Sequence, residues 1–259
     1  MRILFIGDIV GSPGRAAIKS LVVLLKQELQ IDFVVANAEN ASGGSGITSK
    51  VAVELFASGV DVLTSGDHIW KKPEIFELIN QEERILRPLN FPSGAPGRGA
   101  NVFKARNGIK VGVININGRV FMDALECPFK AALKAAEELA VETKIIIVDI
   151  HAEATSEKIA LGWYLDGKVS AIFGTHTHIQ TADEKILPQG TAYITDVGMT
   201  GPYDSVIGRR VEDVLTRFLS SIPVRFQVAD GNVQLHGALV EIDEATGKAR
   251  SILRIQRKI

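Results

Sequence analysis

Residues 2–15 read RILFIGDIVGSPGR, and this stretch contains the first of several strand-and-helix units that determine the fold. The apolar run 3–6 is typical of a buried strand, and it ends at Gly7 and Asp8. Ser12 and Pro13 then open an amphipathic stretch that continues to about residue 29, with Ser12 predicted as the helix N-cap and Pro13 as the first helical residue. The segment predicts a strand followed by a helix.

The same alternation continues along the first third of the chain. A strand is predicted over 33–36, a helix over 48–58, a strand over 60–63, and a helix from Pro73. Alternating strand and helix units imply a parallel sheet with helices on its faces. We therefore predict an α/β fold.

The rest of the chain contains more strands. Asn107-Gly108 predicts a tight hairpin between strands 101–106 and 109–114. Helices are predicted over 128–142 and 156–165, and strands over 145–148, 169–173, 191–194, 224–228, 233–242 and 251–255. With a turn at 229–232, the last strands predict a late antiparallel sheet packed on the first sheet.

The composition is that of a globular protein, and it disfavours several classes of partner. Of 259 residues, 46% are hydrophobic, and 29 Lys and Arg balance 30 Asp and Glu to a net charge of −1. This balance argues against a stable nucleic-acid complex and against a polybasic membrane binder. The single Cys127 cannot form an internal disulfide, and no apolar run approaches the ~20 residues of a membrane span. We expect one domain over residues 1–259 and, by default, a cytoplasmic location.

Polar side chains stand at the ends of five predicted strands. They are Asp8, Glu39, Asn40, Asp67, His68, His151, His176 and His178. Because the carboxyl ends of strands in open α/β sheets line the ligand crevice, we expect these residues to meet in one site. Any one of them alone could be a helix cap or a structural residue, and we expect His236, the fifth histidine, to be structural.

The residue types in this set indicate a metal site. Excluding His68, they include three imidazoles and three carboxylates without a cysteine, a mixed nitrogen and oxygen donor set large enough for two ions. Iron, manganese, zinc and cobalt all suit such donors. In an extended segment, His176 and His178 would point to the same side and could serve one metal centre. The glycines near residues 7–14 and 43–46 match neither a dinucleotide-binding motif nor a P-loop.

Five ordered motifs give the sequence a family resemblance. They are Gly7-Asp8, Asn37-Ala38-Glu39-Asn40, Gly66-Asp67-His68, His151 and Gly174-Thr175-His176-Thr177-His178. In this order they resemble the motifs of the calcineurin-like metallophosphoesterases and, more narrowly, of the YmdB-type phosphodiesterases of bacteria. The resemblance implies a four-layer α/β/β/α sandwich around a two-metal site. It also implies hydrolysis of phosphodiesters by metal-activated water, with 2′,3′- or 3′,5′-cyclic nucleotides as substrates.

The resemblance further implies a role for each matching residue. One ion would be held by Asp8, Glu39 and His178, with Asn40 nearby, and the other by Glu39, Asp67, His151 and His176, while His68 would be catalytic. Iron is the preferred metal, with manganese or zinc as alternatives. The family normally has Asn where this chain has Asp67, so we expect tighter binding but weaker Lewis acidity at the second ion.

Other functions remain open at the level of the sequence. A phosphomonoesterase on the same fold is one, and a regulatory metal-binding protein with little catalysis is another. A metal amidohydrolase is a third, although amidohydrolases characteristically take a His-x-His pair from the first strand, which here supplies Asp8. The loop 200–208 is a candidate for substrate contact, and a homo-oligomer is compatible with the sequence.

Overall fold

The computed structural model describes all residues 1–259. Its strands are β1 (Arg2–Ile6), β2 (Asp8–Ile9), β3 (Phe33–Asn37), β4 (Val62–Thr64), β5 (Ala100–Lys104), β6 (Lys110–Asn117), β7 (Ile146–His151), β8 (Ala171–Thr175), β9 (Lys185–Ile186), β10 (Ala192–Ile194), β11 (Met199–Pro202), β12 (Val233–Ile242) and β13 (Ala249–Lys258). Its α-helices are α1 (Gly11–Glu28), α2 (Ser49–Ala57), α3 (Ile75–Gln81), α4 (Pro128–Ala140), α5 (Thr155–Tyr164) and α6 (Val211–Ser220), and a 3₁₀ turn spans Ile69–Lys71. No helix combines the length and the apolar character that crossing a bilayer requires.

The strands form two sheets. The first has the order β2-β11-β12-β1-β3-β4, with β13 paired to β12, and the second has the order β5-β6-β7-β8-β10-β9. In the first sheet β1, β3 and β4 are parallel, whereas β12 runs antiparallel to β1. In the second sheet the central strands β6, β7, β8 and β10 are parallel, and β5 and β9 are antiparallel edge strands.

Alternate residues of the strands face opposite layers of the molecule. Leu4 and Ile6 of β1 pack in a core that α1 and α2 cover, while Ile3 and Phe5 face the second sheet. Between the sheets Phe5 stacks on Phe173 of β8, with 4.6 Å between the ring centroids. A third core lies between the second sheet and the helices α4 and α5. The predicted four-layer α/β/β/α arrangement is thereby confirmed.

The placement of the late strands differs from the prediction. No separate antiparallel sheet forms, because β12 enters the first sheet between β1 and β11, and β13 pairs with β12. Residues 224–228 are not a strand, and only Val228 makes an isolated bridge, to Arg209. None of these five residues is buried, so this segment has no core face to cover. The turn 229–232 therefore joins no hairpin with it.

Two helix predictions also need correction. Helix α1 begins at Gly11, so Ser12 lies inside it, and the N-cap is Val10, whose side chain makes no capping hydrogen bond. Helix α6 was not predicted, although its apolar residues Val211, Val214, Leu215 and Phe218 follow a helical spacing. The hairpin at Asn107-Gly108 is confirmed by the antiparallel pairing of β5 and β6.

Candidate metal centre

The eight predicted site residues all stand at the carboxyl ends of strands or directly after them. Asp8 opens β2 just after β1, Glu39 and Asn40 follow β3, Asp67 and His68 follow β4, His151 ends β7, and His176 and His178 follow β8. The first sheet supplies five of these side chains and the second sheet three. The structure brings the whole predicted set together in one place.

Four of these residues form a tight group. Ligand atoms of Glu39, Asp67, His151 and His176 all lie within 4.8 Å of one another. At its centre, His151 Nε2 lies 3.1 Å from Glu39 Oε2 and 3.3 Å from Asp67 Oδ1. His176 Nδ1 is 2.9 Å from the same nitrogen. Two imidazoles and two carboxylates at this spacing can hold one metal ion.

Asp8, Asn40 and His178 form a second group on the other side of Glu39. Asp8 Oδ1 lies 3.8 Å from His178 Nε2, and Asn40 Nδ2 lies 3.2 Å from that same nitrogen. Asn40 Nδ2 also donates to Glu39 Oε1 over 2.9 Å. Because the other oxygen of Glu39 faces His151, Glu39 lies between the two groups. To bind a metal, the Asn40 amide would have to turn its oxygen towards Glu39 and His178.

Two observations indicate that the site suits cations. Asp8 Oδ1 and Asp67 Oδ1 are buried and have no hydrogen-bond partner, which is costly unless a positive charge compensates them. The backbone of Gly66 packs directly against the cluster, because a Cβ there would overlap the His151 ring and the Glu39 carboxylate. The donor atoms and their burial therefore fit a bound metal.

The electrostatics of the cluster point the same way. Burial alone would raise the pKa of Glu39, but His151 and His68 hold that pKa well below its ordinary value. Burial alone would lower the pKa of His151, but Glu39, Asp67 and Asp8 raise it well above the usual value. Burial raises the pKa of Asp8. Three carboxylates converge on this small buried volume, and positive charge stabilises them there.

A buried hydrogen-bond relay orients His151. Its Nδ1 lies 2.9 Å from the Thr175 hydroxyl, which in turn donates to Asp149 Oδ1 over 2.7 Å. Asp149 is fully buried, and burial raises its pKa to about 6. Because Nδ1–H donates to Thr175, Nε2 is the nitrogen that faces Glu39 and Asp67 and would offer its lone pair to a bound metal.

The segment that carries His176 and His178 is not extended as predicted. Both residues have left-handed backbone angles, with φ of 92° and 65°, and their side chains enter different groups. Asp196 holds the segment by accepting hydrogen bonds from the backbone N–H and the hydroxyl of Thr177, at 3.2 and 2.6 Å. Lys158 pairs with the same carboxylate oxygen at 2.8 Å, and both charged side chains are fully buried.

His68 lies at the open side of the cluster. Its Nδ1 is 2.9 Å from Asn40 Oδ1 and 3.3 Å from Glu39 Oε1, and its Nε2 is 3.7 Å from Asp67 Oδ2. The side chain is 31% exposed and lines a cavity of about 360 Å³. It is thus the predicted site residue best placed to reach both the cluster and a bound molecule.

Sequence reasoning assigned no role to the residues that support the cluster. They are Asp149, Glu153, Lys158, Thr175 and Asp196. Asp149 carried a signal, because a charged residue interrupts the apolar run just before His151. Glu153 Oε2 lies 3.2 Å from His176 Nε2, a contact between side chains that no sequence pattern indicated.

The chain is similar to known proteins over nearly its whole length. A family model described as YmdB-like protein matches residues 4–255. A Bacillus subtilis protein named 2′,3′-cyclic-nucleotide 2′-phosphodiesterase is 52% identical, over 98% of this chain and 96% of its own length. A solved structure of a hypothetical protein from Thermus thermophilus is 40% identical with a TM-score of 0.93, covering 100% of this chain and 99% of that one. A structure described as a novel phosphatase from Mycoplasma pneumoniae is 37% identical with a TM-score of 0.91, covering 100% of this chain and 93% of that one.

Proposed function

The chain belongs to the YmdB-like protein family, and from this premise we propose that it is a metal-dependent phosphodiesterase that hydrolyses cyclic nucleotides. The observation that carries the proposal is the buried cluster of Glu39, Asp67, His151 and His176 beside an open cavity. The B. subtilis relative is named for a 2′,3′-cyclic-nucleotide substrate, which supports the 2′,3′-cyclic compounds as the first class to assay.

We assign seven residues to two metal ions. Asp8, Asn40 and His178 would hold one ion, Asp67, His151 and His176 the other, and Glu39 would be shared. When bound, the ions supply Lewis acidity that activates water and neutralises phosphate charge. Nitrogen and oxygen donors without thiolate suit iron, manganese and zinc, and the family resemblance favours iron among them.

We propose that His68 donates a proton to the leaving oxygen. If Asn40 turns its oxygen towards a metal, its amide N–H faces His68 Nδ1, and Nε2 then carries the transferable proton of the ring. The ring is part of the cavity lining and can therefore contact a bound phosphodiester. His68→Ala should lower turnover by ~10²–10⁴ while the metal content stays unchanged. Loss of metal together with activity would show that His68 holds the site rather than acting in the reaction.

The proposed function is tested by metal analysis of the purified protein together with a substrate panel. The panel contains 2′,3′- and 3′,5′-cyclic nucleotides, bis-p-nitrophenyl phosphate and p-nitrophenyl phosphate. We expect two metals per chain and hydrolysis of the diesters, abolished by a chelator and restored by iron or manganese. Two metals per chain without hydrolysis of any diester would instead support a regulatory metal-binding protein.

A phosphomonoesterase is the second candidate. The similar M. pneumoniae structure described as a phosphatase favours it. The panel separates the two candidates, because a monoesterase would turn over p-nitrophenyl phosphate faster than the bis-p-nitrophenyl diester.

A further inference from the structure

The cavity beside the metal cluster has two chemically different walls. One wall is polar and includes Glu39, Asn40, His68, His176 and His178. The other is formed by the apolar side chains of Val206, Ile207, Val214, Phe218 and Phe226, and the charged side chains of Glu153 and Arg209 also line the cavity. A phosphate bound at the cluster would therefore have an apolar surface beside it.

The two aromatic rings of this wall are exposed, so core packing does not account for them. Phe218 is 76% exposed and Phe226 is 37% exposed, whereas Val214 is the one buried residue of α6. Exposed aromatic side chains that share a cavity with a polar site are typical of ligand contact. The rings are thus available to a bound molecule.

The apolar wall is held in place relative to the metal cluster. His178 Nδ1 donates to the Ile207 carbonyl over 3.0 Å, which joins a proposed metal ligand directly to the wall. Gln227 N–H donates to Asp213 Oδ2 over 2.8 Å, and Arg210 N–H donates to the Gln227 carbonyl over 3.0 Å. These bonds fix the segment that carries Phe226 against the start of α6.

We propose that Phe218 and Phe226 form a stacking surface for the nucleobase of the substrate. The inference rests on the proposed phosphodiesterase function and deepens it, because it names the residues that contact the nucleobase of the substrate. Every base has a π face, so stacking tolerates all four bases while favouring the larger purine rings. The site therefore accepts cyclic nucleotides as a class and prefers them to phosphodiesters that lack a base.

The kinetic test compares two cyclic phosphodiesters that share the same five-membered ring. Adenosine 2′,3′-cyclic phosphate carries a base, and glycerol 1,2-cyclic phosphate does not. Phe218→Ala and Phe226→Ala should each lower kcat/KM for the adenosine compound by about 5- to 150-fold, mainly through KM, and leave the glycerol compound unchanged. Phe218→Trp should retain the adenosine activity, whereas Phe218→Leu should not.

Leu219→Ala is the matched control, since Leu219 neighbours Phe218 on α6, is 85% exposed and is absent from the cavity lining. This variant should leave both substrates unaffected. Equal effects of the Phe variants on both cyclic compounds, or no effect on either, would overturn the stacking surface. A changed molecular mass of Phe218→Ala in light scattering, with unchanged kinetics, would likewise overturn it and assign the ring to a contact between copies.

A binding measurement separates this inference from the proposed function. Equilibrium dialysis of adenosine 3′-phosphate and of inorganic phosphate needs no hydrolysis. We expect Phe218→Ala to weaken binding of the nucleotide while phosphate binding stays the same. That result would support the stacking surface even if the protein hydrolysed no diester, and unchanged nucleotide binding would contradict it even if hydrolysis were found.

Discussion

Asp67 gives the group of Glu39, Asp67, His151 and His176 one more negative charge than an Asn would. Its Oδ1 is buried without a hydrogen-bond partner and lies 3.3 Å from His151 Nε2, so this charge acts directly at the cluster. Asp67→Asn should weaken binding of the second metal by about 10-fold and speed diester hydrolysis, because a less neutralised ion is the stronger Lewis acid. Metal titration and initial rates measure both effects.

Asp123→Asn is the control for this substitution. Asp123 is exposed and shares a surface pocket with Asp67 and His176. Its replacement by Asn therefore removes one nearby charge without changing a proposed metal ligand. Unchanged affinity and rate in Asp67→Asn would contradict the account of this residue, as would equal effects of the two variants.

His236 makes the folded protein sensitive to mild acid. The ring is 5% exposed, packs against Tyr203 at 4.3 Å between centroids and 30° between the ring planes, and has a buried Nδ1 without a hydrogen-bond partner. Burial lowers its pKa from 6.5 to about 4, so between these values the unfolded chain binds more protons than the folded chain. Stability should therefore fall as the pH drops from 6.5 towards 4, by up to about 1.4 kcal/mol per pH unit from this residue.

Urea unfolding between pH 7.5 and 4.5 measures this contribution in the wild type and in His236→Gln. We expect the wild type to lose more stability than the variant across the window, whatever their difference at pH 7.5. Parallel pH profiles for the two proteins would show that His236 does not titrate as described.

At the scale of elements, a buried ion pair between α5 and the strand ends positions the loop that carries His176 and His178. Lys158 on α5 pairs with Asp196, and Asp196 holds Thr177 between the two histidines of that loop. Lys158→Met leaves a buried carboxylate without a positively charged partner and should cost about 3–5 kcal/mol of stability, with a loss of bound metal. Denaturant unfolding and metal content measure the two effects.

The double variant Lys158→Met/Asp196→Asn removes the uncompensated charge and should recover part of the stability. Lys168→Met, at an exposed lysine just after the same helix, is the control and should change neither quantity. A single Lys158→Met variant with wild-type stability and metal content would show that the pair does not position the loop.

The elements also show how far the sequence could predict this fold. The early strand and helix units were predictable because local apolar periodicity determines them. All eight predicted site residues lie at the ends of these and later strands. The position of β12 between β1 and β11 was not predictable, since pairing between distant strands leaves no local signal. Residues 224–228 alternate like a strand, but the structure gives them no sheet face to cover, and Gln227 is instead hydrogen-bonded to the start of α6.

On the scale of the whole molecule, the core between the two sheets should make the chain unfold as one unit. Phe5 and Phe173 meet there and are both fully buried. Phe173→Ala should cost about 3–5 kcal/mol, whereas Phe121→Ala, at a residue 89% exposed, should cost little. We therefore propose that residues 1–259 form one domain.

The two tryptophans report on opposite sides of that core. Trp70 packs against the core that α1 and α2 cover. Trp163 lies on α5, which packs on the outer face of the second sheet. The single-tryptophan variants Trp70→Phe and Trp163→Phe should unfold with transitions that coincide with those seen by circular dichroism. Separate midpoints for the two tryptophans would contradict a single cooperative domain.

Hydrolysis of adenosine 2′,3′-cyclic phosphate by Glu39→Gln, measured on protein of known metal content, tests the central claim most directly. Glu39 lies between both ligand groups, with Oε2 3.1 Å from His151 Nε2 and Oε1 2.9 Å from Asn40 Nδ2. If this carboxylate is shared by two ions, the substitution should reduce bound metal below two ions per chain and abolish hydrolysis. Wild-type hydrolysis with a full complement of metal in Glu39→Gln would contradict the shared two-metal centre.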